Sequence, residues 1–214
     1  LLLAPSGCGI RIAGGATDAE TAATTTSSTI TSSSGNARGT WINNVFCFYP
    51  GRNGLFMHAP DSFVHGFVVG SSGRSGIVSR GANVRYTACK SYYSTWHGVV
   101  MDGNRNEWGM IEAQDNCING FLITGDQITA SGLCADSNGG NINVSSVGDG
   151  FYINGNYCNI EGVTFDRNAT ALSRQRYGVT FGGTGVKNNI TLTIDNTRFS
   201  GAAPNTFSGS PTGQ

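Results

Sequence analysis

Residues 119–126 read NGFLITGD, and the phrase returns as NGLFMHA at 53–59, HGVVMDGN at 97–104 and DGFYINGN at 149–156. Gly54, Gly76, Gly98 and Gly120 stand 22 residues apart, and Gly150 and Gly178 continue the series at spacings of 30 and 28. Five residues after each comes another small residue: Ala59, Gly81, Gly103, Gly125, Gly155 and Gly183. Self-similarity at a fixed period of this size is the signature of a solenoid.

Thirteen residues after each glycine the chain places Phe67, Cys89, Ile111, Leu133 and Val163, and two residues further Val69, Ser91, Ala113, Ala135 and Phe165. A shorter third segment is marked by Val84, Ile128, Cys158 and Val186. Period-2 alternation of this kind means strands that bury one face. Three short strands per 22-residue coil, each coil bonded to the next at ~4.8 Å, predict an all-β parallel β-helix. One coil cannot bury its own apolar side, whereas a stack makes a continuous core. The recurring glycines are read as the positive-φ residues of tight corners. The chain has only eight Leu, too few for the ladder of a leucine-rich repeat. Right-handed winding follows from the general handedness of parallel crossovers.

Composition suits this reading. Gly supplies 32 of 214 residues, and charged residues are 12% against a usual ~25%. Lys plus Arg and Asp plus Glu balance at 13 each, which argues against a nucleic-acid partner. No apolar run approaches the ~20 residues of a membrane span. The calcium-binding nonapeptide is absent, and His58, His65 and His97 lie on separate coils, so neither metal nor cofactor is expected. The chain divides into an opening coil with a Ser/Thr-rich excursion (1–40), the β-helix (41–200) and a Gly/Pro/Ser-rich tail that leaves it (201–214). Irregular insertions near 139–148 and 169–176 fall at one corner of consecutive coils, where a solenoid often carries its binding face.

The stretches NGFLITGD, ASGLCADSN and GDGFYINGNYCNIEGVTFDRN resemble the pectate-lyase-like superfamily of right-handed parallel β-helices. Within it the chain is most similar to the β-helical domains of phage tailspikes and tail-associated depolymerases. That resemblance implies a bacterial polysaccharide as partner, parallel homotrimerisation, and a virion-tail protein folded in the host cytoplasm. A non-enzymatic adhesive tail protein and a secreted monomeric pectate-lyase-like enzyme are the alternatives.

The residues nominate a site. Glycoside hydrolysis needs two carboxyls, and Asp136 and Asp166 fall at equivalent positions of successive coils, with Glu112 as a wider partner and Gln114 in the same column. Arg167, Arg174 and Arg176 lie nearby and could hold an acidic sugar. Tyr92, Tyr93 and Trp96, within KSYYSTWHG, supply aromatic platforms. Lys90 is expected to pair with Glu112 across one rung, and Asn116, Asn138 and Asn168 to form a structural ladder. Phe56, Val78, Val100, Leu122 and Tyr152 fall at outward positions of the first strand and predict an exposed apolar stripe, the expected oligomer interface. The six Cys, scattered over coils, read as free thiols of a protein folded in a reducing compartment.

Overall fold

In the computed structural model the described residues are 7–12, 38–140, 148–167, 175–182, 187–195 and 207–208. Short strands β1 (Ile10–Ile12), β3 (Leu55–Met57), β5 (Ile77–Ser79), β7 (Val99–Met101), β9 (Phe121–Ile123), β11 (Phe151–Ile153), β13 (Val179–Phe181) and β15 (Phe207–Ser208) alternate along the chain with longer ones. These are β2 (Trp41–Phe48), β4 (Phe63–Gly70), β6 (Arg85–Tyr92), β8 (Glu107–Gln114), β10 (Thr129–Asp136), β12 (Asn159–Phe165) and β14 (Asn189–Asp195). Odd strands pair in sequence order into one parallel sheet and even strands into another. Ile77 opposes Val99 and Val99 opposes Phe121, so one winding is 22 residues. The fold is a parallel β-helix.

Its core lies between the sheets. Leu55 and Met57, Val99 and Met101, Phe121 and Ile123, and Phe151 and Ile153 point inward from the short strands and are fully buried. They meet Phe67, Cys89, Ile111 and Leu133 from the long strands. Each such side chain contributes roughly 1.5–3 kcal/mol on burial. Phe121 stacks on Phe151 with ring centres 4.9 Å apart, and Tyr86 on Trp108 at 3.7 Å, so aromatic columns run along the axis.

The sequence led us to expect three strands per coil, and the structure has two. Val84, Ile128 and Cys158 are single buried residues preceding a long strand, not a strand of their own; Val186 lies outside the described residues. The long strand is instead folded into two legs by one left-handed residue, stacked as Asn44, Gly66, Ala88, Met110 and Gly132. Two more left-handed columns mark the coil corners: Asp61, Asn83, Arg105 and Gln127 before the long strand, and Tyr49, Ser71, Tyr93, Asp115 and Ser137 after it.

The phrase glycines therefore do different work from that expected. Gly54, Gly76, Gly98, Gly120 and Gly150 are not among the positive-φ residues. A Cβ on any of them would sit 2.7–2.8 Å from the carbonyl oxygen of the next glycine in the column. It would also strike an inward side chain of the long strand (Val69, Ser91 or Thr164) or of the corner just after it (Asn116 or Asn138). Glycine recurs because adjacent coils approach too closely for a side chain.

Buried polar ladders complete the corners. Asn116 and Asn138 are fully buried; Asn116 Nδ2 donates to Asn138 Oδ1 at 2.9 Å, and Asn138 Nδ2 to the Ala113 carbonyl at 2.9 Å. Asn168 lies outside the described residues, and Gln175 continues the ladder, donating to Thr164 Oγ1 at 2.6 Å. All six cysteines are free. Phe207 pairs with Val179, so at this point the tail expected to leave the helix adds a further rung. The Ser/Thr-rich excursion lies outside the described residues.

Two assignments of facing are corrected. Strand β12 lacks the left-handed residue, so its register shifts and Leu133 faces Gly162 while Ala135 faces Thr164. Gly162 and Thr164 take the inward positions expected of Val163 and Phe165. The outward column of the short strands is not an exposed stripe: Phe56, Val78 and Val100 are at most 4% exposed and form a second apolar cluster with Cys8 and Leu122 against it. Tyr152 is partly buried in the same column. Phe56, Val78 and Val100 are thus covered, while Leu122 and Tyr152 are only partly so.

Candidate functional site

The second leg of each long strand turns two side chains outward, and strand pairing sets them in a grid. One column is Phe46, Val68, Lys90, Glu112, Cys134 and Val163; the other is Phe48, Gly70, Tyr92, Gln114, Asp136 and Phe165. The left-handed corner column Tyr49, Ser71, Tyr93, Asp115 and Ser137 borders the grid. Six rungs at ~4.8 Å span about 24 Å. The insertions between β10 and β11 and between β12 and β13 leave from this border.

One half of the face is aromatic. Phe46, Phe48, Tyr49 and Tyr93 are among its most exposed large side chains. The Phe48 and Tyr92 rings meet edge-on at 6.2 Å, Tyr92 and Tyr93 at 5.5 Å. Gly70 makes this possible, because a Cβ there would lie 2.8 Å from the Tyr92 ring and 3.0 Å from that of Phe48.

The other half is charged. Lys90 Nζ pairs with Glu112 at 3.0 Å across one rung, as expected, and lies 5.7 Å from the Tyr92 ring centre. Arg167 Nε donates to Asp136 Oδ1 at 2.7 Å, and its Nη2 reaches Asp115 Oδ2 at 3.3 Å. Ser137 Oγ donates to Asp136 Oδ1 at 2.7 Å and Gln114 Nε2 to Asp115 Oδ2 at 2.8 Å. Arg167 thus clamps carboxylates from two earlier coils. Burial, then the negative charges of Glu112 and Asp136, push the Cys134 thiol up to about 11 despite Lys90 and Arg167 nearby.

Of the nominated residues, the fold gathers Tyr92, Tyr93, Glu112, Gln114, Asp136 and Arg167 on one face. The Asp136–Asp166 pair does not form as expected. The one-residue shift in β12 sets Phe165 opposite Asp136, and Asp166 falls at the buried corner, where its Oδ2 accepts the Gln175 backbone N–H at 3.0 Å. Trp96 lies beyond the corner under Arg74, 5.3 Å from its ring centre. Arg176 binds the fully buried Asp149 through two nitrogens at 3.0 and 2.9 Å, with Thr180 Oγ1 donating to the same carboxylate at 2.7 Å. Arg174 lies outside the described residues. Asp115 and the β2 aromatics were not foreseen; the alternation in FCFYP, which sends Phe46 and Phe48 to one side, was the available signal. Among the described residues no three His, Cys, Asp or Glu side chains could hold a metal ion.

No protein-family model matches the chain, and no curated protein matches it. Among solved structures it is similar to pectate lyase Pel9A, at 16% identity and TM-score 0.49, covering 84% of this chain and 54% of that one. It is also similar to the A-module of the mannuronan C-5 epimerase AlgE4 of Azotobacter vinelandii, at 13% identity and TM-score 0.43, covering 82% of this chain and 58% of that one. A double mutant of the periplasmic alginate epimerase AlgG matches at 15% identity and TM-score 0.37, over 81% of this chain and 47% of that one. The chain spans roughly half the length of the structures it matches.

Proposed function

We propose that this chain binds a bacterial surface polysaccharide along the outer face of its long-strand sheet, in the manner of a tailspike β-helix. The observation that carries the reading is the joining, on adjacent rungs, of an open aromatic platform (Phe48, Tyr92, Tyr93) to a fixed array of carboxylate, amide and guanidinium groups (Gln114, Asp115, Asp136, Arg167). Aromatic faces cover the C–H side of a sugar ring, and the polar groups answer its hydroxyls. None of the six cysteines is in a disulfide, which supports folding in a reducing compartment, as virion assembly inside a host provides. Homotrimerisation would have to use a surface other than the covered Phe56, Val78 and Val100 of the short strands.

Cleavage is the second reading, favoured by one geometric fact. Glu112 and Asp136 lie one rung and two residues apart, a diagonal of about 8 Å between backbones. That is near the 6.5–9.5 Å carboxyl separation of inverting glycosidases. Titrating the protein with capsular and O-antigen polysaccharides, and weighing any products, tests both. Tyr92→Ala should weaken binding tenfold or more, about 1.4 kcal/mol. Binding unchanged by this substitution and by Tyr93→Ala refutes the site. Products that vanish in Glu112→Gln and Asp136→Asn add cleavage to binding.

A further inference from the structure

We propose that the glycan taken by this face is neutral, bearing no carboxylate, sulfate or phosphate on the residues that contact it. The inference rests on the polysaccharide-binding reading and names its substrate class.

An acidic sugar needs a cation, and on this face each one described already serves a carboxylate. Lys90 is held by Glu112, and Arg167 by Asp136 and Asp115 together. Arg176, at the far end of the same corner, is engaged by Asp149. Three carboxylates (Glu112, Asp115, Asp136) stand against two cations (Lys90, Arg167) on the grid and its border. A polyanion would approach a face with one excess negative charge. An anion drawn to the half-exposed Arg167 would compete with Asp136 and Asp115 for the guanidinium, and the Asp136 side chain is only 7% exposed. A buried carboxylate deprived of its partner carries a large desolvation cost.

A neutral sugar meets none of these costs. Ionised carboxylates accept and do not donate hydrogen bonds, so Glu112 and Asp115 present lone pairs that suit sugar hydroxyls. Gln114, which gives one amide N–H to Asp115, offers its carbonyl oxygen as a further acceptor. The aromatic half supplies apolar contact that does not depend on charge.

The test uses the whole chain and acidic surface polysaccharides in two forms, native and with carboxyl groups chemically reduced to alcohols, beside naturally neutral O-antigens. Affinity electrophoresis is run at low and high salt. We expect retention by neutral or carboxyl-reduced polymer, changing less than about twofold with salt because few charges are exchanged, and lost in Tyr92→Ala. Retention confined to native polyanions, weakened by salt and abolished in Arg167→Gln, overturns the inference while leaving the binding face intact. Retention by no polymer overturns the binding reading, and this inference with it.

Discussion

Gly98→Ala separates two reasons for a recurring glycine. If Gly98 were needed for positive φ, asparagine, which tolerates that region, would rescue it better than alanine. The structure gives Gly98 no positive φ. It places an added Cβ 2.6 Å from Asn116 Nδ2, 2.8 Å from the Gly120 carbonyl oxygen and 2.9 Å from Ala113 Cβ. Two of those obstacles are backbone or a buried methyl group. Overpacking of this kind costs about 1–3 kcal/mol, offset by the ~0.4–1 kcal/mol that alanine contributes through the unfolded chain. A net loss of about 1–2 kcal/mol corresponds to a fall in Tm of roughly 2–8 °C for a chain of this size. Gly98→Asn should cost more than Gly98→Ala, because its side chain is larger. Gly132 is the control: its φ is +65°, and the nearest obstacle to a Cβ is Met110 N at 3.4 Å. Asn44 and Ala88 already occupy its column, so Gly132→Asn should stay within about 1 kcal/mol of wild type. Thermal melts followed by circular dichroism read all three. An asparagine at 98 that melts above the alanine variant would refute the close-approach account.

Asn138→Ala removes the acceptor of the Asn116 backbone N–H, one of the two acceptors of Asn116 Nδ2 and a donor to the Ala113 carbonyl, all in the buried corner, and should destabilise by about 3 kcal/mol in urea unfolding. Arg176→Met strands the fully buried Asp149 carboxylate and should cost about 3 kcal/mol, whereas the double variant with Asp149→Asn should recover part of it. Burial pushes His97 down to about 4, and its Nδ1 accepts the Asn119 backbone N–H at 3.3 Å, as a neutral ring does. The unfolded chain, with an ordinary histidine near 6.5, takes up this proton first. The His97 contribution is therefore fully present above about pH 6.5 and is lost as pH falls toward 4. Stability profiles of wild type and His97→Gln should diverge in that window, the wild type falling more steeply.

The inward residues were legible because a two-residue period leaves no choice of side: Phe121 and Ile123, or Val99 and Met101, had to face the core together. The corners were not, because a left-handed residue carries no fixed chemistry; Asp61, Asn83, Arg105 and Gln127 all fill one column. The site was half legible for the same reason. Glu112, Gln114 and Asp136 alternate as a strand should, so their shared face could be counted out. Asp166 could not, because one missing residue in β12 moves everything after it by a position, and that loss has no marker in the letters. Asp115 escaped notice because it sits on a corner rather than a strand. The apolar column of Phe56, Val78 and Val100 was read as open from parity alone, which says which side a residue faces and nothing about what lies over that side.

The most direct test of the binding face is a crystal structure with an oligosaccharide cut from a polysaccharide that the protein retains. The account predicts sugar rings against Tyr92 and Tyr93, with hydroxyls on Glu112, Gln114 and Asp115. An oligosaccharide bound over the short-strand sheet, or at an end of the stack, would contradict it.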